Sequence, residues 1–292
     1  MKVEQDLRGK QTVFVTGGSG GLGKAISKIL AARGAHVTIF SRRPSPLEEA
    51  RQELAASCLR KDQEINAVAI DMADAADVLS SDKSMSAWGY RNLTFWPAGG
   101  NYAENGFLVD IKAQDIDSCM KNNYYSSAYA AKSMLDIWIE EDEKKLSTPG
   151  SHPKLRQIIF INSAAAFLGL PGSIAYTRTL TDPTYSKAAK AAVRALADTL
   201  RMEVMRYCCT QSTYSIHCAF PADFVSPGFM LEQKTKTPLT KRMQGLDRPL
   251  SELEARFPSA EKVASLVITA ADRGDFIICE DSLAASLLFT NM

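Results

Sequence analysis

Short β-branched and aromatic runs alternate along this chain with longer segments whose apolar residues recur every three or four positions. The first run is Thr12-Val13-Phe14-Val15-Thr16, and a helical pattern follows over about 21–33. Next come Ala35-His36-Val37-Thr38-Ile39-Phe40 and a charged helical stretch over about 46–60. Further strand-like runs lie at 67–70, 93–96, 157–161, 214–220 and 276–279, with helical patterns at about 113–138, 186–207 and 259–272. Seven strands alternating with helices require right-handed crossovers and a parallel sheet covered on both faces. The pattern predicts a Rossmann-type α/β fold: a doubly wound, parallel, seven-stranded sheet in three αβα layers. Segment 140–155, EEDEKKLSTPGSHPKL, carries charges, two prolines and a glycine and reads as an exposed connector. No internal repeat is evident, so residues 1–292 are expected to form one domain.

Composition narrows the class. With 46% apolar and 23% charged residues the chain is globular in type, and at 292 residues it buries enough surface to need no staple. Lys and Arg total 34 against 33 Asp and Glu, a net charge of +1, which argues against a nucleic-acid partner bound by bulk charge. No run is long and apolar enough to span a bilayer and the N-terminus lacks a signal-like segment, so a soluble, intracellular protein is expected. The six cysteines have no C-x-x-C spacing and read as reduced thiols. The three histidines lie far apart, and no metal site is expected.

Chemistry concentrates first at Thr16-Gly17-Gly18-Ser19-Gly20-Gly21-Leu22-Gly23, between the first strand and the first helix. Glycine allows positive φ and close approach of the backbone to a pyrophosphate, while a helix N-terminus offers unpaired N–H groups. Strand before and helix after is the context a dinucleotide site requires. Versions that take NAD place an acid at the end of the second strand for the ribose 2′-hydroxyl. Here that strand ends Phe40-Ser41-Arg42-Arg43. Two guanidiniums suit a 2′-phosphate, Ser19 can add a donor, and the expected cofactor is NADPH. Asp71, just past the third strand, is a candidate partner for the adenine amino group.

The T-G-x-x-x-G-x-G spacing of Thr16, Gly17, Gly21 and Gly23 resembles that of the short-chain dehydrogenases/reductases. Ala98-Gly99 after the fourth strand, Asn123 in the next helix, Ser163 after the fifth strand and Pro227-Gly228 after the sixth are similar in order, so the resemblance covers nearly the whole chain. Within that family the sequence looks most like the branch that reduces 3-keto sphingoid bases. The residues carrying this are Ala98-Gly99-Gly100, Asn123-Tyr124-Tyr125, the helix 194–201, Pro221 through Phe229, and Gly274 through Ile278. The resemblance implies NADPH-dependent reduction of the 3-keto group of a long-chain sphingoid base at the cytosolic face of the endoplasmic reticulum, in sphingolipid synthesis. It also implies cofactor contacts from Gly17, Ser19, Gly21, Leu22, Gly23, Arg42, Arg43, Asp71, Ala98, Gly99, Lys190, Pro221 and Phe224. A homodimer or homotetramer built on helices 113–138 and 186–207 is expected. Members of that branch usually continue into a hydrophobic C-terminal segment. The sequence stops at Met292 before such a segment, so either the segment has been removed or peripheral membrane contact is the expected route to a lipid.

The family's catalytic set is Ser, Tyr and Lys with a supporting Asn. Bringing a phenol from about 10 to about 7 takes roughly 4 kcal/mol of preference for the phenolate. One ammonium at about 4 Å in an effective dielectric near 20 supplies about that much. This explains the family's Tyr and Lys at i and i+4 on one helical face. Ser163 and Asn123 fit their places, and Lys190 matches the lysine because Ala191-Ala192-Val193-Arg194 continues the expected helix. The tyrosine is ambiguous. Tyr176 stands 13 residues after Ser163, the family's separation, yet position 180 is Leu. Tyr185 has lysines at i+2 and i+5, about 200° and about 140° round an ideal helix. An insertion of about ten residues near 177–186 accounts for both. Either Tyr176 holds its place and the insertion loops out, or Tyr185 replaces it in an adjustable first turn after Pro183. A third outcome is a protein that binds NADPH without turnover.

On the substrate side, the segment about 222–250 after the sixth strand is expected to close over the ligand. Phe224, Val225, Phe229, Met230 and Leu231 suit an alkyl chain, and the lysines that follow can meet anionic headgroups. Another lipophilic ketone is the alternative substrate.

Overall fold

The computed structural model describes residues 11–79, 92–97, 105–106, 112–145, 154–167, 175–176, 186–209, 212–235 and 238–279. The strands are β1 (Thr12–Thr16), β2 (His36–Ser41), β3 (Ile65–Ala69), β4 (Asn92–Pro97), β5 (Asn105–Gly106), β6 (Lys154–Ile161), β7 (Ala175–Tyr176), β8 (Ser212–Ala219) and β9 (Ile277–Ile278). Seven form one sheet in the order β3-β2-β1-β4-β6-β8-β9, every pair parallel. The other two form a separate antiparallel pair, Asn105 facing Tyr176, which the sequence pattern does not anticipate.

Both faces of the sheet are covered, which is why its central strands read as continuous apolar runs. Alternate residues face opposite ways. Val13, Val15, Ile39, Ile159 and Ile161 pack on one side with helices α1 (Gly21–Ala32), α2 (Pro44–Ala56) and α9 (Ala260–Asp272). On the other side Phe14, Phe40, Ile158 and Phe160 pack with α4 (Ser126–Lys145) and α5 (Ser186–Glu203). Between these lie α3 (Ala113–Met120), α6 (Pro227–Thr235), α7 (Pro238–Met243) and α8 (Leu250–Arg256). Strand order reverses on either side of β1, so a crevice opens at the carboxyl ends of β1 and β4, where open parallel sheets receive their ligands.

The expectation of an exposed connector over 140–155 is corrected. Helix α4 continues to Lys145 and β6 begins at Lys154. Asp142, which that reading places in the exposed connector, is buried and forms an ion pair with buried Arg156. Asp142 also accepts from Ser212 Oγ at 2.9 Å and Tyr214 O–H at 2.6 Å, and Arg156 Nε donates to Ser212 Oγ at 2.9 Å. The Arg156 guanidinium lies over the rings of Trp138 and Tyr214. Partners on β6 and β8 take Asp142 inside, while Glu140, Glu143 and Lys144 of the same stretch stay exposed, and 146–153 lie outside the described residues. The predicted helix over 113–138 is likewise interrupted: Lys121–Tyr125 forms one π turn between α3 and α4.

Candidate cofactor and active site

The turn between β1 and α1 shows which glycines the fold itself needs. Gly17 and Gly21 have φ of 65° and 52°, a region that disfavours side chains. A Cβ on Gly23 would lie 2.5 Å from the Gly17 carbonyl oxygen, and one on Gly18 would lie 2.5 Å from Ile39 Cγ2. These two permit close packing of helix and strands. Gly20 differs: its backbone is extended, with φ −171°, and an added Cβ would meet nothing within 4 Å. Neither backbone nor packing requires glycine at position 20. The open space there suits a phosphate closing on bare backbone at a helix N-terminus, so the turn fits a dinucleotide. Leu22 is buried beneath the turn in the core.

At the end of β2, Ser41 Oγ hydrogen-bonds Ser19 Oγ at 2.9 Å, linking the glycine turn to the second strand. Arg42 and Arg43 are exposed beside it. Arg42 Nη1 donates to Asn122 Oδ1 at 3.2 Å, a link to the π turn that the sequence does not suggest. Asp71 Oδ1 accepts from the backbone N–H of Ala73 at 3.0 Å, which orders the turn after β3. Pro221 is buried and its carbonyl accepts from Ala164 N–H at 3.0 Å, while Phe224 packs against the core that holds α1. Ala98 and Gly99 lie outside the described residues.

The π turn and the start of α5 come together. Cys119 and Ala189 pack on each other, which sets the end of α3 against the first turn of α5. Asn123 is fully buried in the π turn; its Nδ2 donates to the Cys119 carbonyl at 3.0 Å, and its Oδ1 has no partner. A π bulge inserts one extra residue into the helix and re-aims the side chains it carries. Lys190 is 7% exposed, and burial pulls its ammonium down to about 8. Asn162 Nδ2 donates to the Lys190 carbonyl at 3.0 Å, and Asn162 Oδ1 accepts from the N–H of Ser163 at 2.9 Å. Ser163 Oγ accepts from the N–H of Ala165 at 3.2 Å and starts a short 3-10 turn, leaving its own proton to donate elsewhere.

The structure therefore gathers Asn123, Ser163 and Lys190 at the carboxyl edge of the sheet. Strand β7, which contains Tyr176, runs beside α3 and α5. Tyr185 lies outside the described residues. Residue-by-residue reading misses Asn162, although an Asn-Ser pair directly after a buried strand is a legible signal: two polar residues where the chain leaves the core.

The short chain dehydrogenase family model matches residues 11–212, and the chain belongs to that family. Among curated proteins it is 31% identical to a 3-ketodihydrosphingosine reductase of Aspergillus fumigatus, over 92% of this chain and 71% of that protein. It is also 31% identical to a PIGF/3-ketodihydrosphingosine reductase fusion protein of Schizosaccharomyces pombe, over 94% of this chain and 48% of the fusion. A 3-dehydrosphinganine reductase of Danio rerio is 27% identical over 90% of this chain and 69% of its own length. Among solved structures, levodione reductase superposes with a TM-score of 0.73 at 19% identity, covering 94% of this chain and 98% of that one. A short-chain dehydrogenase from Sphingobium yanoikuyae in complex with NADPH gives 0.67 at 15% identity, covering 92% and 87%. At these identities the two structures speak for the fold.

Proposed function

We propose that this chain is an oxidoreductase that uses NADPH to reduce the 3-keto group of 3-ketodihydrosphingosine to dihydrosphingosine in sphingolipid biosynthesis. The observation that carries the reading is the match, along nine-tenths or more of the chain, to reductases of that ketone from fungi and a vertebrate. When bound, NADPH supplies the hydride.

The chain's own residues supply binding and a proton. Gly17, Ser19, Gly21, Leu22 and Gly23 hold the pyrophosphate, Arg42 and Arg43 take the 2′-phosphate, and Asp71 takes the adenine amino group. Ala98, Gly99, Pro221 and Phe224 flank the remainder, and Lys190 serves both cofactor and catalysis. Ser163 Oγ donates to the ketone oxygen. Tyr176 gives its phenolic proton to the forming alkoxide, and the Lys190 ammonium favours the phenolate left behind. Position supports Tyr176, since its strand lies beside the helix that carries Lys190. Asn123 Oδ1, buried without a partner, is the acceptor that holds a water in the proton path.

Access to a lipid is also proposed to be peripheral. No helix among the described residues is long and apolar enough to cross a membrane. Leu231, Leu239 and Met243 on α6 and α7 are each about half exposed. Between 227 and 248 the sequence has five cations, Lys234, Lys236, Lys241, Arg242 and Arg248, against Glu232 and Asp247. Apolar tips among cations suit the anionic cytosolic face of the endoplasmic reticulum. A homodimer or homotetramer through α4 and α5 completes the proposal.

The test is NADPH oxidation with 3-ketodihydrosphingosine in detergent, on the wild type and on Tyr176→Phe, Tyr185→Phe and Lys190→Ala, with cofactor binding followed by fluorescence. Loss of turnover in Tyr176→Phe with NADPH binding retained supports the assignment. The spacing around Tyr185 and Lys190 favours a second reading, an NADPH-binding protein without turnover. Tight NADPH binding with no reduction of this or any simple ketone would establish it.

A further inference from the structure

The strand end that faces a cofactor's ribose is tied to the glycine turn twice. Gly18 N–H donates to the Phe40 carbonyl at 3.3 Å, and Ser41 Oγ bonds Ser19 Oγ at 2.9 Å. Arg42 comes next, directly after β2. Its Nη1 donates at 3.2 Å to Oδ1 of Asn122, which lies 80 residues further along in the π turn between α3 and α4. An exposed arginine at the place of the 2′-phosphate is thus held by a second element of the fold.

Hydrogen bonding fixes which end of the Asn122 amide Arg42 meets. Asn122 Nδ2 donates to the Ser118 carbonyl at 2.9 Å and to Ser118 Oγ at 3.2 Å. A backbone carbonyl can only accept, so the NH2 end must face Ser118 and the carbonyl end is left for Arg42. The Asn122 backbone carbonyl accepts from Ser126 Oγ at 2.8 Å, which secures the turn towards α4. A guanidinium has five N–H donors, and this bond uses one on Nη1. It does not compete for the edge formed by Nε and Nη2, which suits a phosphate in bidentate pairing. Long side chains lose rotamer freedom when a ligand immobilises them, and an arginine already held has less to lose.

We infer that Asn122 is a positioning residue for cofactor choice: it holds the Arg42 guanidinium ready for the 2′-phosphate and so favours NADPH over NADH. This rests on NADPH as the cofactor and is independent of which ketone is reduced. Arg43 is the internal control. It stands beside Arg42 as the N-cap residue of α2, its carbonyl accepting from Leu47 N–H at 3.3 Å, while the bond to Asn122 belongs to Arg42.

Fluorescence titration of NADPH and NADH into the full chain and its variants tests this without turnover. Asn122→Ala is expected to raise Kd for NADPH about three- to ten-fold, the cost of ordering one long side chain. Kd for NADH should stay within two-fold. In an Arg42→Ala background Asn122→Ala should add less than two-fold, whereas in Arg43→Ala its full effect should recur, as coupling through one shared contact requires. Asn122→Asp, which puts a negative charge beside the phosphate, should weaken NADPH at least ten-fold and spare NADH; this variant decides the matter if Asn122→Ala does not fold. Equal losses for both cofactors, or an undiminished effect in the Arg42→Ala background, would place the role of Asn122 in the π turn itself and overturn the inference alone. A wild type that binds NADH as tightly as NADPH would remove the cofactor reading and the inference with it. The expected cycle in a chain that reduces no ketone would leave the inference standing and remove the reductase reading.

Discussion

The side-chain amide of Asn162 donates to the backbone carbonyl of Lys190 across 3.0 Å, tying the strand end that carries Ser163 to the first turn of α5. The same side chain accepts from the N–H of Ser163 at 2.9 Å, so one residue sets the spacing between the proposed substrate donor and the proposed ammonium. Asn162→Ala removes both bonds. It is expected to cost about 2 kcal/mol, from two hydrogen bonds at about 1 kcal/mol each. Activity should fall at least ten-fold while NADPH binding persists. Thermal unfolding and steady-state kinetics check this, and unchanged kcat would show that the tether does not position the site.

Burial makes Lys190 a source of instability in the cofactor-free protein. Its folded value of about 8 lies below the ordinary 10.5. Between those values the unfolded chain holds the proton that the native state has lost, so native stability rises with pH across that window; below about 8 the penalty is fully present. At 1.36 kcal/mol per unit the penalty is about 3 kcal/mol. Lys190→Met is therefore expected to be more stable than wild type at pH 7 and to lose that advantage towards pH 10, while its reductase activity is abolished. Chemical denaturation without cofactor at several pH values reads the difference, and a variant less stable at every pH would refute it.

Two glycines of the phosphate turn should behave in opposite ways. Gly23→Ala drives a Cβ to 2.5 Å from a backbone oxygen that cannot step aside, and it is expected to destabilise the fold by more than about 2 kcal/mol. Gly20→Ala meets nothing and adopts its extended backbone without strain. Its Tm should stay within about 1 °C of wild type while NADPH affinity drops at least ten-fold. Undiminished NADPH binding by Gly20→Ala would mean that the open space beside the turn is not the phosphate's.

Cofactor choice should rest on Arg42 and Arg43. Replacing either with Ala is expected to raise the KM for NADPH about ten-fold or more, the loss of one charge-assisted pair at about 1.5–3 kcal/mol. KM for NADH should change little, because that cofactor has no 2′-phosphate. Arg42 has a second role in the free protein through its bond to Asn122. Equal losses for both cofactors would assign the arginines to folding.

The buried pair of Asp142 and Arg156 should govern stability without touching the site. Arg156 stands near the start of β6 and Ser163 beyond its end, seven residues or about 23 Å apart along a strand. Burial, reinforced by the bond to Asp142, also pushes the Tyr214 phenol above its usual range. Asp142→Ala leaves a buried guanidinium without its main partner and is expected to cost about 3–5 kcal/mol. Calorimetry should show a Tm about 10 °C lower, with kcat within two-fold. A loss of kcat matching the loss of stability would contradict this separation of the two ends of the sheet.

Much of this protein could be read locally. The seven runs at 12–16 through 276–279 fall on the seven strands of the parallel sheet, and central ones such as β1, buried at all five positions, are mostly apolar because a strand covered on both faces must be. The glycine turn was equally legible: positive φ and backbone crowding leave their mark on the residues that adopt them. The place of Arg42 and Arg43, directly after β2, was legible because it is set by the strand before them.

What only the tertiary structure decided are the pairings between distant residues. Charge marked Asp142 as solvated, yet Arg156, Ser212 and Tyr214, 14, 70 and 72 residues away, enclose it. The one-residue slip of the π turn that buries Asn123 has no local signature, since the same residues would suit an ordinary helix. Nor does periodicity tell that the Asn122 amide faces Arg42, 80 residues away. Propensity and pattern act over a few residues. A buried polar atom is satisfied, or left waiting for a ligand, by groups that only the folded chain brings within 3 Å of it.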